Sequence, residues 1–320
     1  MPITDNHIFA LDSSVERTAV FYENRFGILL AGELYVSRNA DLEARQLPAI
    51  VVGPPFGGVK EQGPGVYANQ LAQRGFVALA FDPSYFGESG GEPRYLASSE
   101  IQAEDFSAGV DFLGSLPYVD RDRIGAIGIC GSGGWALSAA AMDPRIKAVV
   151  ASAMYDIPRA GRLGFPGMPE VTAEQRRATL REVAAQRWAD VDAGRPALSF
   201  NANIDYRENM NPVTAEFASF YSTPRGYHPG AIAAHTITSS AALMNFQIND
   251  RVAETEAPIL LVTGDAAHSK PFADEIMEKC AAGGKTDVEM VVVENCNHVD
   301  LYDDVEKIPF DRLEQFFEAM

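Results

Sequence analysis

The stretch Arg123-Ile-Gly-Ala-Ile-Gly-Ile-Cys130-Gly-Ser132-Gly-Gly134 is where chemistry is most legible. An apolar run enters a glycine-rich turn, and a helix of small residues starts at once. A nucleophile on such a strand–turn–helix junction needs small residues two before and two after it, because strand and helix pass very close there. With Cys130 as nucleophile those places hold Gly128 and Ser132. With Ser132 as nucleophile they hold Cys130 and Gly134, but the strand must then run on through Gly131. The junction geometry favours Cys130. A thiol at a helix N-terminus feels the positive end of the peptide dipoles, which predicts a stabilised thiolate. A buried structural cysteine in a tight turn is the alternative.

A nucleophile of this kind needs a base, an orienting acid and donors for the oxyanion. His298, in Asn295-Cys-Asn-His298-Val-Asp300, follows the last predicted strand and is the expected base. Loops after the C-terminal ends of parallel strands share one edge of the sheet, which brings this loop to the Cys130 turn. Asp265 is the nearest carboxylate after the seventh predicted strand, and Asp156 is the runner-up as acid. Asp300 reads as a stabiliser of its own loop. One oxyanion donor is the Gly131 N–H. The other comes from Gly53-Pro-Pro-Phe56-Gly57-Gly58, where prolines cannot donate, leaving Phe56 or Gly57. Lys60-Glu61-Gln62 follows, as a pocket lining or a solvated turn. His228, His235 and His268 have no evident partners in the sequence, and His268 is the one expected nearest the pocket. Trp135 reads as packing.

The elements that must position these residues alternate. Val15–Tyr22 and Ile28–Val36 read as a hairpin around Asn24-Arg25-Phe26-Gly27. Short apolar runs at Ala49–Gly53, Phe76–Phe81, Arg123–Ile129, Ile146–Ala153, Ile259–Thr263 and Val288–Val293 suit strands buried on both faces. Helices are predicted over Val66–Gln73, from Ser99 to Leu116, and over Gly133–Met142, Ala273–Ala281 and Phe310–Ala319. Ser99 with Gln102 has the form of a capping box. Such alternation marks a parallel sheet with right-handed crossovers. It breaks between Tyr155 and Val252. There a charged helix, Thr172–Val191 with Thr172 and Gln175 as cap pair, and a weaker helix near Ala231–Leu243 are expected. The predicted architecture is a core of residues 1–154 and 251–320 with a helical cap at 155–250.

The chain has 320 residues, 47% apolar and 22% charged, with a formal net charge of -18. That acidity disfavours nucleic acid and anionic lipid as partners. The first ten residues lack the apolar run of a signal peptide, and no stretch is long and apolar enough for a span. Three cysteines, an odd and sparse set, suit a reducing compartment, so a cytoplasmic location is expected. No metal-ligand spacing is evident and no cofactor is expected.

Five motifs in order, Gly57–Gln62 (GGVKEQ), Gly128–Gly134 (GICGSGG), Met154–Asp156 (MYD), Gly264–Ser269 (GDAAHS) and Asn297–Asp303 (NHVDLYD), resemble the α/β-hydrolase superfamily. The nearest resemblance is to a branch by the dienelactone hydrolases and X-Pro-peptidase-like hydrolases. It implies a mostly parallel twisted sheet with helices on both faces and a lid. It also implies the order nucleophile, acid, histidine along the chain. Dienelactone hydrolases use an elbow cysteine, which supports Cys130 by analogy. In that pattern the acid would stand at 267, which is Ala267 here, so Asp265 is a displaced substitute.

The expected reaction is acyl transfer through a Cys130 thioester from a small-molecule donor: an activated ester, a lactone or a thioester. Cap aromatics, among them Phe200, Tyr206, Phe217, Phe220, Tyr221 and Tyr227, shape an acyl pocket or form the cap's own core. An acyltransferase using the same intermediate, and an inactive binding module on the same fold, are the alternatives. Self-association is left open.

Overall fold

A computed structural model of the chain describes residues 6–43, 46–199, 210–232 and 234–320. The hairpin forms from β1 (Val15–Glu23) and β2 (Leu29–Ser37), antiparallel over their whole length and joined through Gly27 at φ +73°. Next come β3 (Leu47–Gly53), α1 (Gly63–Gln73), β4 (Val77–Phe81), α2 (Ser99–Ser115), β5 (Val119–Ile129), α3 (Gly131–Met142) and β6 (Val149–Ser152). Among the described residues four helices follow: α4 (Ile157–Leu163), α5 (Ala173–Ala193), α6 (Pro212–Tyr221) and α7 (Ser239–Asn245). The chain closes with β7 (Ile259–Gly264), α8 (Lys270–Ala282), β8 (Val288–Val293), α9 (Asp300–Asp303) and α10 (Phe310–Glu318).

The strands make one sheet in the order β1-β2-β4-β3-β5-β6-β7-β8, with β2 antiparallel to β4 and every pair from β4 to β8 parallel. Strands wholly covered on both faces must be apolar throughout, and Ala49–Val52, Val77–Ala80 and Ile259–Val262 have no exposure. Aromatics of the covering helices pack on both faces of the sheet. Phe106 of α2 meets Phe81 edge to face, and Phe317 of α10 meets Phe76. This is the α/β-hydrolase arrangement that the motifs imply.

Some local expectations fail for identifiable reasons. The capping box appears at Thr172 and Gln175, which bond reciprocally, but not at Ser99 and Gln102. There α2 starts one residue earlier with Ser98 as its cap, and the buried Ser99 and Gln102 side-chain oxygens lie inside the first turn. The expected helix at Ala231–Leu243 is confined to α7. Thr236, inside that range, is taken into a bridge with Leu198, so tertiary pairing overrides a weak helical pattern. The aromatic stretch before it yields α6, whose cap Asn211 accepts the Val213 N–H. Phe200 and Tyr206 lie outside the described residues.

Candidate active site

Cys130 stands between the end of β5 and the start of α3, at φ 56° and ψ −118°. Few side chains tolerate that region, so the surroundings must hold it. They do so through three backbone bonds. Cys130 N–H donates to Ser152 O (2.9 Å), while its carbonyl accepts from Gly133 N–H (3.0 Å) and Tyr155 N–H (2.8 Å). The flanking glycine is a steric necessity: a Cβ on Gly128 would lie 2.1 Å from the Ser132 carbonyl oxygen. Ser132 is inside the first turn of α3, buried, and its hydroxyl donates to the Pro54 carbonyl. The strained junction residue is therefore Cys130, and Ser132 tethers the elbow to the β3 loop.

That loop brings Phe56 over the elbow; a Cβ on Gly131 would sit 2.9 Å from the Cβ of Phe56. The N–H groups of Gly131 and Phe56 both donate toward the Cys130 sulfur. Of the two residues expected to supply the second donor, Phe56 faces the sulfur; Gly57, at φ +78°, makes the turn behind it. Lys60, Glu61 and Gln62 brace this loop. Lys60 Nζ is buried against Glu61 (2.6 Å), Asp82 (3.1 Å) and Glu88 (2.7 Å), and Gln62 Nε2 donates to the Gly226 carbonyl (2.5 Å). Burial pushes the Glu61 carboxyl up to about 7.

The thiol is not the free thiolate that the helix dipole alone predicts. Only 6% of Cys130 is exposed, and burial raises its pKa to about 11 despite the two N–H groups and the Tyr302 hydroxyl that donate to it. Loss of hydration outweighs the favourable end of the helix. A raised pKa leaves the neutral thiol dominant at pH 7. Alkylation of Cys130 by iodoacetamide should therefore be slow at neutral pH and rise about tenfold per pH unit towards pH 11. A plateau reached below pH 8 would contradict this. Cys280 and Cys296 are also free and buried, and the Cys296 thiol is pushed up to about 12.

His298 is wholly buried beside this turn, but a phenol stands between it and the sulfur. Its Nε2 lies 2.8 Å from Tyr302 Oη, and the Tyr302 hydroxyl also interacts with Cys130 and Tyr221. On the other side of the ring, Nδ1 lies 2.7 Å from Ser269 Oγ. The expected acid is thus corrected. Asp265 is exposed, and its carboxylate accepts the Cys296 N–H (3.2 Å) at the mouth of the β7 turn. Asp156 caps α4 through the Arg159 N–H and accepts from Asn249. Among the described residues no carboxylate bonds His298. A hydroxyl at 269 takes the place on Nδ1 because the turn after β7 enters α8 there, leaving Asp265 four residues too early.

His268 packs against His298 with ring centroids 4.7 Å apart, and its Nδ1 meets Glu216 Oε2 at 3.1 Å. Burial and the neighbouring His268 hold the His298 pKa well below the usual imidazole value. Glu216, on α6, also accepts the Val299 N–H (3.0 Å), while Phe217 lies on both imidazoles. Asp300 braces the histidine loop as expected, accepting the Asn297 N–H (3.1 Å) and ion pairs from Arg225 and Lys307. Tyr302, Ser269 and Glu216 are the site residues that sequence reasoning passes over. Tyr302 has a weak signal, since it follows His298 by only four residues, in the short helix that the histidine loop enters. Of the cap aromatics, Phe220 and Tyr221 are buried here, whereas Tyr227 is 55% exposed.

The model of the alpha/beta hydrolase family matches residues 60–308. The uncharacterized protein PA2218 of Pseudomonas aeruginosa is 47% identical over 314 residues, covering 97% of this chain and 82% of that protein. Its crystal structure superposes with a TM-score of 0.94 over 100% of this chain and 98% of that one. A thiohydrolase of Aspergillus aculeatus, aneE, is 36% identical over 124 residues, 39% of this chain and 37% of its own length. The structure of DcsB in complex with its substrate analogue shares the fold, with a TM-score of 0.78 at 22% identity over 95% of this chain and 99% of that one.

Proposed function

The chain belongs to the alpha/beta hydrolase family, and we propose that within it the chain transfers acyl groups through a thioester on Cys130. The observation that carries this reading is the strained elbow position of Cys130 with two backbone N–H groups aimed at its sulfur. With the Tyr302 hydroxyl turned from the sulfur to donate to His298 Nε2, the thiol proton passes to Tyr302 Oη as the phenol proton passes to Nε2, and Nδ1–H donates to Ser269. The sulfur adds to the substrate carbonyl, and the Gly131 and Phe56 N–H groups hold the oxyanion. Collapse expels the leaving group, which recovers the proton along the same chain. Water or another acceptor then repeats the steps on the acyl-enzyme.

The substrate class follows from what supports His298. An imidazolium whose Nδ1 rests on a neutral hydroxyl has no adjacent counter-charge, so the base is weak and little imidazolium forms to protonate a departing alkoxide or amine. Thiols leave readily with little proton assistance, having pKa values near ~8.5. Thioesters therefore fit best, with aryl esters and strained lactones next. The thiohydrolase relative points the same way. Residues 155–250 act as the lid of a core made by 1–154 and 251–320; Phe217 on His298 and the Gln62–Gly226 bond support this. A second reading keeps the same acyl-enzyme and resolves it with an alcohol or amine acceptor rather than with water.

Acid-quenched turnover on a short acyl thioester, followed by peptide mapping, tests the assignment. The acyl mass is expected on the peptide bearing Cys130, and kcat/KM for the thioester should exceed that for the matching alkyl ester at least ~10-fold. Label found on Ser132 with Cys130 unmodified, or turnover without any adduct or thiol dependence, overturns it. Added alcohol that raises product at the expense of hydrolysis selects the transferase branch.

A further inference from the structure

The helix α5 spans 21 residues, yet Val183 is its only buried side chain. The residues turned towards the rest of the protein, Arg176, Thr179, Val183, Gln186 and Asp190, follow helical spacing and are mostly polar. They are secured by polar contacts. Arg176 donates to the carbonyls of Arg162 and Val171, and Asp190 accepts from Gln186 and from the Ala197 N–H. A second stripe at the same spacing, Leu180, Ala184, Trp188 and Val191, is apolar and exposed along the flank of α5 that borders α7 and its cap Thr238. Trp188 is 74% exposed and Val191 70%. Scattered apolar residues on a surface need no explanation, but a continuous stripe ending in an exposed tryptophan marks an interaction face. Beside the stripe, Leu180, Ala241, Ala242 and Met244 line a groove between α5 and α7, with Arg177 at its edge.

We propose that this face is a two-fold interface with a second copy of the chain, its α5 helices packed antiparallel. Each Trp188 enters the partner's groove beside the partner's Leu180. The charges select this occupant. Across α5, four arginines balance four carboxylates, so the helix is neutral. They are segregated: Glu174, Arg176, Arg177, Arg181 and Glu182 leave the first half net positive, while Arg187, Asp190 and Asp192 leave the second net negative. Antiparallel pairing sets each half against its opposite, as an isologous interface requires. The eight-residue separation of Leu180 and Trp188 lets knob and groove exchange across one axis. An anionic lipid surface is disfavoured by the neutral helix and by the net charge of -18.

Sedimentation velocity and light scattering on the full chain at micromolar concentrations provide the test. The wild type is expected at twice 34.6 kDa. Trp188→Asp and Leu180→Asp should each raise the dimer Kd at least ~30-fold with unchanged far-ultraviolet circular dichroism. Arg177→Asp and Asp192→Arg should each weaken the dimer, and the double exchange should restore it. A wild type that sediments as a monomer throughout the range overturns the proposal, as does a Trp188→Asp dimer of unchanged affinity. So does a monomeric wild type that floats with anionic phospholipid vesicles.

Discussion

Alanine at Cys130 is expected to lower kcat on a thioester substrate by ~10³-fold or more, to the level that binding and the oxyanion donors alone provide. The fold should survive, because the strained backbone is held by bonds from Ser152, Gly133 and Tyr155 that do not involve the side chain. Serine at 130 is not expected to rescue turnover. A hydroxyl demands a stronger base than an imidazole whose Nδ1 meets Ser269 instead of a carboxylate. Ser132→Ala offers the internal comparison. It leaves the buried Pro54 carbonyl without its partner, costing about 1–3 kcal/mol of stability, while leaving the Cys130 sulfur in place. Its kcat should stay within a few fold of wild type. Steady-state kinetics on the three variants check the ranking, and a Ser132→Ala loss deeper than that of Cys130→Ala would move the nucleophile.

The Tyr302→Phe variant is expected to lower kcat/KM about 10²-fold without disturbing the core. The ring fills the same buried volume and keeps its edge-to-face contact with Phe220, while the hydroxyl that links Cys130 and His298 is lost. A packing role and a bridging role give opposite readouts. Removing a donor from the sulfur raises the thiol pKa above its present value of about 11, so the alkylation profile of the variant should shift to higher pH. With the bridge intact, two protons move in the acylation step and the proton inventory in mixed water and heavy water should be curved. In Tyr302→Phe that curvature should disappear. A variant with wild-type kcat/KM and an unmoved alkylation profile would show that the imidazole reaches the sulfur directly during turnover.

The parts of the site that could be read along the chain are those set by local sterics. Gly128 and the small residues after Cys130 announce an elbow because close passage of strand and helix leaves no room for a Cβ, a constraint written in consecutive residues. The apolar runs of β3, β4 and β7 announce a doubly covered sheet for a similar reason. The thiolate expectation fails because the dipole of α3 is a local property while desolvation is not. The sequence shows the helix start, but not that Phe56, Tyr155 and Tyr302 close over the sulfur. The acid fails for a related reason: spacing identifies which loop reaches the edge, not which of its residues turns inward.

Order along the chain thus determined the fold, the elbow and the two loops that meet it, because strand burial, turn sterics and parallel connectivity follow from neighbouring residues. Tertiary structure alone decided the polarity of the site: a phenol between thiol and imidazole, a hydroxyl on Nδ1, and burial that keeps the sulfur protonated. Those choices depend on side chains 29 residues apart at Ser269 and His298, and farther still between Cys130 and Tyr302. Hydrogen-bond direction and dielectric are properties of the assembled space, and no periodicity records them.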